Sequence, residues 1–560
     1  MGLKDLEMKL ITVLISILVV ATAVAAPKSL DDTVAIQQRS DDSFQSSHLV
    51  TWNETQKLLA VDGETGDQFG ISLALDGDTA LIGAQRDNDN GLHSGSAYVF
   101  SRDDTVWSQQ AKLNASYDGN EEDHFGFCAS LSGDTALIGA PDDDDNGVDS
   151  GSAYVFTRSD SVWIQQAKLL ALDGADSDEY GWSVSLSGDT AFIGAPGDDD
   201  KGNDSGSVYV FKRMGPLWTQ QQKLSALDAT SNDYFGFSLS LDNDTAIIGA
   251  PGDDTYQGSV YVFIRIGTTW TQQAKLQASD GLLLDEFGYS VSLSGDTLLV
   301  GAYMDDNQDE NDGSAYVFSR TDTTWIQQDK LEASDSSVDD RFGISVSLSG
   351  DTALIGAYWD DVDAVQTGSA YVFVRNGTNW SQQEKLVASD RSEKDYFGFT
   401  LFLEGDTALI GAYHSNFMKG SAYLFERTDQ PVENHKPAIP NKPSGSEKGN
   451  AKESYMYSTT TTDPDGDNVF YMWDWGDETP LTWDGPFNSG QIATASHIWS
   501  TEGSYSIKVK AKDISGEESN WSDPLPITMP YSCSPIKQFV KLWFEWFPNT
   551  FLLLRQVIGS

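Results

Sequence analysis

The sequence predicts an all-β protein: a seven-bladed β-propeller of four-stranded blades closed by an N-terminal strand, followed by a small β-sandwich and a short helical C-terminal tail. Three observations carry this. A unit of about 55 residues is written seven times in succession, and a period of that size marks a propeller, solenoid or array. Each unit holds four short apolar segments separated by turn residues, which reads as four strands. The units are out of phase with the blades by one segment, which provides for closure of a ring.

Each copy runs W-x-Q-Q-x-K-L, F-G-x-S-x-S-L, D-T-A-L-I-G-A-P, G-S-A-Y-V-F. The aromatic-glycine pairs are Phe69-Gly70, Phe125-Gly126, Tyr180-Gly181, Phe235-Gly236, Phe287-Gly288, Phe342-Gly343 and Phe397-Gly398. The glycine implies a strand too crowded for a side chain, and the aromatic then fills the space between neighbouring sheets. Trp52, Trp107, Trp163, Trp218, Trp270, Trp325 and Trp380 form a second periodic row, expected to pack as core. Between the second and third segments lie only two residues: Asp76-Gly77, Ser132-Gly133, Ser187-Gly188, Asp242-Asn243, Ser294-Gly295, Ser349-Gly350 and Glu404-Gly405. Two-residue hairpins need positive φ, which glycine supplies freely and asparagine tolerates next best. The first tryptophan segment, Trp52 to Leu58, precedes the first aromatic-glycine pair, and the last copy ends at Gly420 to Phe425 with none after it. The leading segment is therefore expected to pair beside Gly420–Phe425 and close a propeller over 48–427, leaving no exposed sheet edge.

These elements resemble the FG-GAP repeats of the integrin α-subunit propeller, and most closely the short prokaryotic variety, over about residues 48 to 427. Gly139-Ala140-Pro141, Gly194-Ala195-Pro196 and Gly249-Ala250-Pro251 keep the full G-A-P; Gln85, Tyr303, Tyr358 and Tyr413 replace the proline elsewhere. Integrin-type repeats carry a D-x-D-x-D-G calcium loop between the F-G and G-A-P strands. Here that connection is the two-residue turn, so the family's calcium ligands do not carry over. Acid collects instead after G-A-P: Asp87 and Asp89, Asp142, Asp143, Asp144 and Asp145, Asp198, Asp199 and Asp200, Asp253 and Asp254, Asp305 and Asp306, and Asp360 and Asp361 with Asp363. The seventh copy has His414-Ser415-Asn416. Such carboxylates suit structural Ca²⁺, a hard ion needing six to eight oxygens, and aspartate is equally an ordinary turn former.

At the N-terminus, Lys4 and Lys9 precede an apolar run from Leu10 to Ala23, and Ala23-Val24-Ala25 offers a small-residue cleavage site, which reads as a secretory signal over 1–25, with an uncleaved membrane anchor as the alternative. The mature protein is accordingly expected to be secreted or on the cell surface. A net charge of −50 opposes nucleic acid and anionic membrane faces. The two cysteines, Cys128 and Cys533, do not form a disulfide framework, and Cys128 occupies a position that is Ser or Thr in other copies.

A Pro- and Lys-containing linker is expected over 428–446 and a sandwich over 447–528. Asp463-Pro464-Asp465-Gly466-Asp467 and Trp473-Asp474-Trp475-Gly476-Asp477 resemble the signatures of a PKD domain, a match that begins near residue 433 and implies an extracellular spacer or interaction module. Asp463, Asp465 and Asp467 have the alternate spacing of a cation loop or a hydrogen-bonded turn. The tail over 531–560 mixes Trp543, Phe544, Trp546 and Phe547 with Lys537, Lys541 and Arg555, as in an interfacial helix attached to membrane or envelope, or one docked on the sandwich. Seven N-x-S/T sequons, at Asn53, Asn114, Asn203, Asn243, Asn376, Asn379 and Asn520, are candidate glycan sites.

Polar residues that repeat with the blades argue against one asymmetric catalytic constellation. The reading is therefore a non-enzymatic extracellular adhesion or binding protein whose propeller loops recognise a protein or glycan. A carbohydrate-active hydrolase or lyase and a structural envelope component are the alternatives.

Overall fold

The computed structural model describes residues 48–115, 120–307, 309–431 and 434–529. The segment expected as a signal, the expected C-terminal helical tail and Cys533 lie outside the described residues. The chain divides between a propeller, His48–Pro431, and a second unit that carries 434–529.

Seven four-stranded antiparallel sheets make the propeller. Blade 1 is Leu73–Asp76, Thr79–Ala84, Ser96–Asp103 and Val106–Leu113. Its second strand, TALIGA, is buried at every position because both faces are covered by neighbouring sheets. The same holds for Thr135–Ala140, Thr190–Ala195 and their counterparts in blades 4 to 6. Each hydrophobic core therefore lies between blades: Leu81, Val99 and Leu113 of blade 1 pack with Leu131, Ile138 and Tyr154 of blade 2.

The leading strand closes the ring as its phase predicts. His48–Leu58 pairs antiparallel with Ser421–Pro431, with Leu58 opposite Ala422 and Trp52 opposite Arg427, and so becomes the outer strand of blade 7. Leu58 then joins Leu409 and Leu424 of blade 7 against Phe69, Ile82 and Trp107 of blade 1.

The two-residue connections fall one position later than expected, at Gly77-Asp78 and its counterparts, because Asp76 still pairs with Thr79; their first residue holds positive φ in all seven copies, including Asn243 at 53°. All seven aromatics of the aromatic-glycine pairs are buried. Gly70 has φ +93°, and a Cβ there would lie 2.5 Å from the carbonyl oxygen of Ser421. Six of the seven tryptophans are buried; Trp218 is partly exposed.

The F-G-x-S-x-S-L motif acquires a tertiary meaning. Its first hydroxyl donates to the carbonyl of the F-G glycine of the next blade: Ser72 to Gly126, Ser183 to Gly236, Ser238 to Gly288, Ser290 to Gly343, Ser345 to Gly398 and Thr400 to Gly70, at 2.6–2.9 Å. Cys128 makes the same bond to Gly181 through sulfur, at 3.0 Å. Burial pushes that thiol's pKa up to about 12, so it is not a reactive thiolate.

In the second unit, Ser454–Thr459 pairs with Ala493–Ile498, and Val469–Asp474 lies between Trp483–Phe487 and Gly503–Lys512. Within the segment expected as linker, Ala438, Asn441 and Ser444 donate backbone bonds to Thr462, Thr460 and Ser458.

Candidate functional site at the propeller axis

Two sets of loops meet on one end of the propeller: those after G-A-P and those leading into F-G. Neighbouring blades are knitted there by backbone bonds, such as Phe125 N–H to Ser94 and Tyr180 N–H to Ser150, both 3.1 Å.

The acidic loops have one design. One aspartate of each is buried: Asp87, Asp143, Asp198, Asp253, Asp305 and Asp360. The lysine of the same blade's W-x-Q-Q-x-K-L strand reaches it. Lys168 Nζ lies 2.8 Å from Asp143 and 2.6 Å from Asp145, while the Tyr154 hydroxyl donates to Asp143 at 2.8 Å. Lys112, Lys223, Lys275, Lys330 and Lys385 repeat this contact with Asp87, Asp198, Asp253, Asp305 and Asp360. Burial works against the charge on Lys223, but hydrogen bonds to Asp198, Asp200 and Asp173 outweigh it and raise its pKa. The invariant lysine is the signal in the sequence that these carboxylates have a cationic partner within the chain. Asp144, Asp199, Asp254, Asp306 and Asp361 are exposed. In the second unit, Asp463 Oδ1 accepts the N–H groups of Asp465 and Asp467 at 2.9 and 3.3 Å, forming a turn. Of the sequons, Asn53, Asn203, Asn243, Asn376, Asn379 and Asn520 are exposed and Asn114 is partly buried.

A cavity of about 470 Å³ opens at the centre of the ring. The residue after each F-G lines it: Ile71, Phe127, Trp182, Phe237, Tyr289, Ile344 and Phe399. These rings form an arc, with centroids 4.7 Å apart for Phe127–Trp182, 5.4 Å for Trp182–Phe237 and 4.8 Å for Phe237–Tyr289. The tyrosines that replace proline after Gly-Ala thicken one side. Tyr303 contacts Tyr289, and Tyr358 and Tyr413 both contact Phe399. Sequence reasoning passed over this row because its identities vary from copy to copy.

The residue before each aromatic breaks the sevenfold repetition: Gln68, His124, Glu179, Tyr234, Glu286, Arg341 and Tyr396. All hold positive φ, between 53° and 61°, so the backbone takes the same local course in every blade. Arg341 lies 3.7 Å over the Trp359 ring and donates to the Tyr358 hydroxyl at 3.3 Å. Burial, followed by the nearby carboxylates of Asp142, Asp204 and Asp149, pushes Glu179 up to about 7. Burial also raises Glu286, against a hydrogen bond with Tyr303 and the charge of Arg341. The cavity is an aromatic bowl whose lining also carries the amides of Gln68 and Gln85, the usual make-up of a ligand pocket.

Comparison with known proteins agrees with this architecture. The FG-GAP repeat family model matches residues 52–100, 107–156, 163–211, 218–263, 270–318, 325–373 and 380–425. The PKD domain model matches residues 434–529. Among solved structures, the chain is similar to the PKD domain of an M14-like peptidase from Thermoplasmatales archaeon SCGC AB-540-F20, at 44% identity over 17% of this chain and 98% of that one, with a TM-score of 0.17. No curated protein matches the chain. Seven repeat matches over a closed ring of seven blades lead to one conclusion: the chain belongs to the FG-GAP repeat family and carries a PKD domain after its propeller.

Proposed function

We propose that this is a non-enzymatic extracellular recognition protein whose propeller binds a glycan at the axial bowl. FG-GAP repeats and PKD domains are typical of extracellular adhesion and recognition modules. The observation that carries the proposal is the asymmetric aromatic lining of the cavity, Phe127, Trp182, Phe237, Tyr289 and Phe399, together with the amide side chains of Gln68 and Gln85. Sugar rings stack their C–H faces on aromatics and hydrogen-bond their hydroxyls to carboxylates, amides and guanidinium groups. Exposed sequons and an N-terminal segment with the pattern of a secretory signal are consistent with an extracellular setting. The test is a glycan array probed with the full chain, repeated with Trp182→Ala. We expect binding to fall about tenfold, the weight of one aromatic stacking contact. Binding undiminished in that variant would move the site elsewhere; an array with no hits would favour a protein ligand.

One observation favours a second reading. Glu179, with its pKa near 7 beside other carboxylates, has the property of a general acid. Release of reducing ends from a polysaccharide, abolished by Glu179→Gln, would support the hydrolase.

A further inference from the structure

We propose that His93, Glu122 and His124 form a site for a divalent transition metal between blades 1 and 2, with Asp142 as the residue that orients His124. One potential ligand atom from each of the first three residues falls within 4.8 Å of the others. His93 Nδ1 is 3.0 Å from Glu122 Oε2, and His124 Nε2 is 4.0 Å from the same oxygen. Zinc bonds to imidazole nitrogen and carboxylate oxygen are about 2.0–2.2 Å, which places tetrahedral neighbours about 3.3 Å apart. The two observed separations bracket that value, so small side-chain rotations complete the geometry.

The backbone already holds the parts together. Glu122 N–H donates to Leu92 at 2.7 Å, His124 N–H to His93 at 3.1 Å, and His93 N–H to the Asn88 side chain at 2.8 Å. His124 Nδ1 is hydrogen-bonded to Asp142. A carboxylate at that nitrogen fixes the tautomer in which Nδ1 carries the proton and Nε2 presents its lone pair towards Glu122, the arrangement that orients metal-binding histidines.

The cluster is confined to this pair of blades. The position of His93 is Asp149, Asp204, Asn311 and Gln366 in blades 2, 3, 5 and 6, and that of His124 is Gln68, Glu179, Tyr234, Glu286, Arg341 and Tyr396 in the other six. Two imidazoles select zinc, cobalt or nickel over calcium and magnesium. Three protein ligands leave a fourth position for water or for an oxygen of a bound molecule. The proposal does not depend on what binds in the axial bowl.

The test uses the full chain after chelator treatment. Cobalt(II) titration should give the visible absorption of a low-coordinate site, saturating at one ion per chain and quenched by zinc. His93→Gln and His124→Gln place residues that blades 6 and 1 already use at these positions, so the fold should tolerate both. Each should weaken binding at least tenfold, and the double variant should abolish it. Asp142→Asn should weaken it about 10- to 100-fold. X-ray absorption of the zinc-loaded wild-type chain should show two imidazoles, a readout independent of any variant's folding. Absence of the cobalt band, an all-oxygen shell, or full binding by the double variant would overturn the proposal and leave the cluster as imidazole–carboxylate pairs alone.

Discussion

Gly70 and Gly77 both hold positive φ, at +93° and +57°, yet a methyl group would meet different surroundings at each. At Gly77 nothing lies within 4 Å, so alanine incurs only the left-handed backbone cost of about 1–2 kcal/mol. At Gly70 the Cβ would strike the Ser421 carbonyl across the blade 7–blade 1 junction, and a fixed backbone cannot yield as a flexible side chain can. Gly77→Ala should therefore lower the melting temperature slightly and Gly70→Ala several-fold more; equal shifts would refute the crowding argument. The turn glycines were legible in the sequence because a two-residue connection dictates φ. The crowding at F-G was legible only in outline, since the neighbour that causes it belongs to the preceding blade, which for Gly70 is the last of the ring.

Among elements, His48–Leu58 has the widest consequences. It completes blade 7, and its Trp52 and Leu58 are 4% and 1% exposed. Loss of one large core side chain costs about 2–5 kcal/mol, so deletion of residues 48–58 should lower the melting temperature by about 10 °C or more. An unchanged melt would mean that the ring does not rely on this strand. The phase of the repeat foretold the pairing, because a blade without an outer strand and a spare strand at the other end have one economical solution. The acidic loops were harder. Their aspartates were evident, but that Lys168 and its counterparts bend onto them follows from strand pairing within each blade.

On the scale of the whole molecule, charge and burial make stability depend on pH. Burial pushes Asp123, Asp178 and Asp285 up to about 6 and Asp340 and Glu179 up to about 7. Each ordinarily titrates near 3.8 or 4.5, so between about pH 4 and 7 the unfolded chain releases protons that the folded chain retains. Stability from these groups is thus fully present at acid pH and is lost as pH rises to about 7. Asp62, Asp173, Asp228, Asp280, Asp335 and Asp390 have lowered pKa values, despite burial, through their lysine and tyrosine partners. Their contribution disappears only below about pH 4. Easing of the self-repulsion of a chain of net charge −50 acts in the same direction as the raised carboxyls. The melting temperature should be higher at pH 5.5 than at 7.5, and the reverse order would show that the buried carboxyls are not penalised. The strands, their hairpins, the number of blades and the closing segment could be read along the chain, because periodicity and turn chemistry are local properties. Which variable residues converge emerged from the fold: Phe127, Trp182, Phe237 and Tyr289 on one cavity, and His93, Glu122, His124 and Asp142 on one cluster. A ring brings together positions that are equivalent in successive repeats, and that proximity cannot be seen along a single copy.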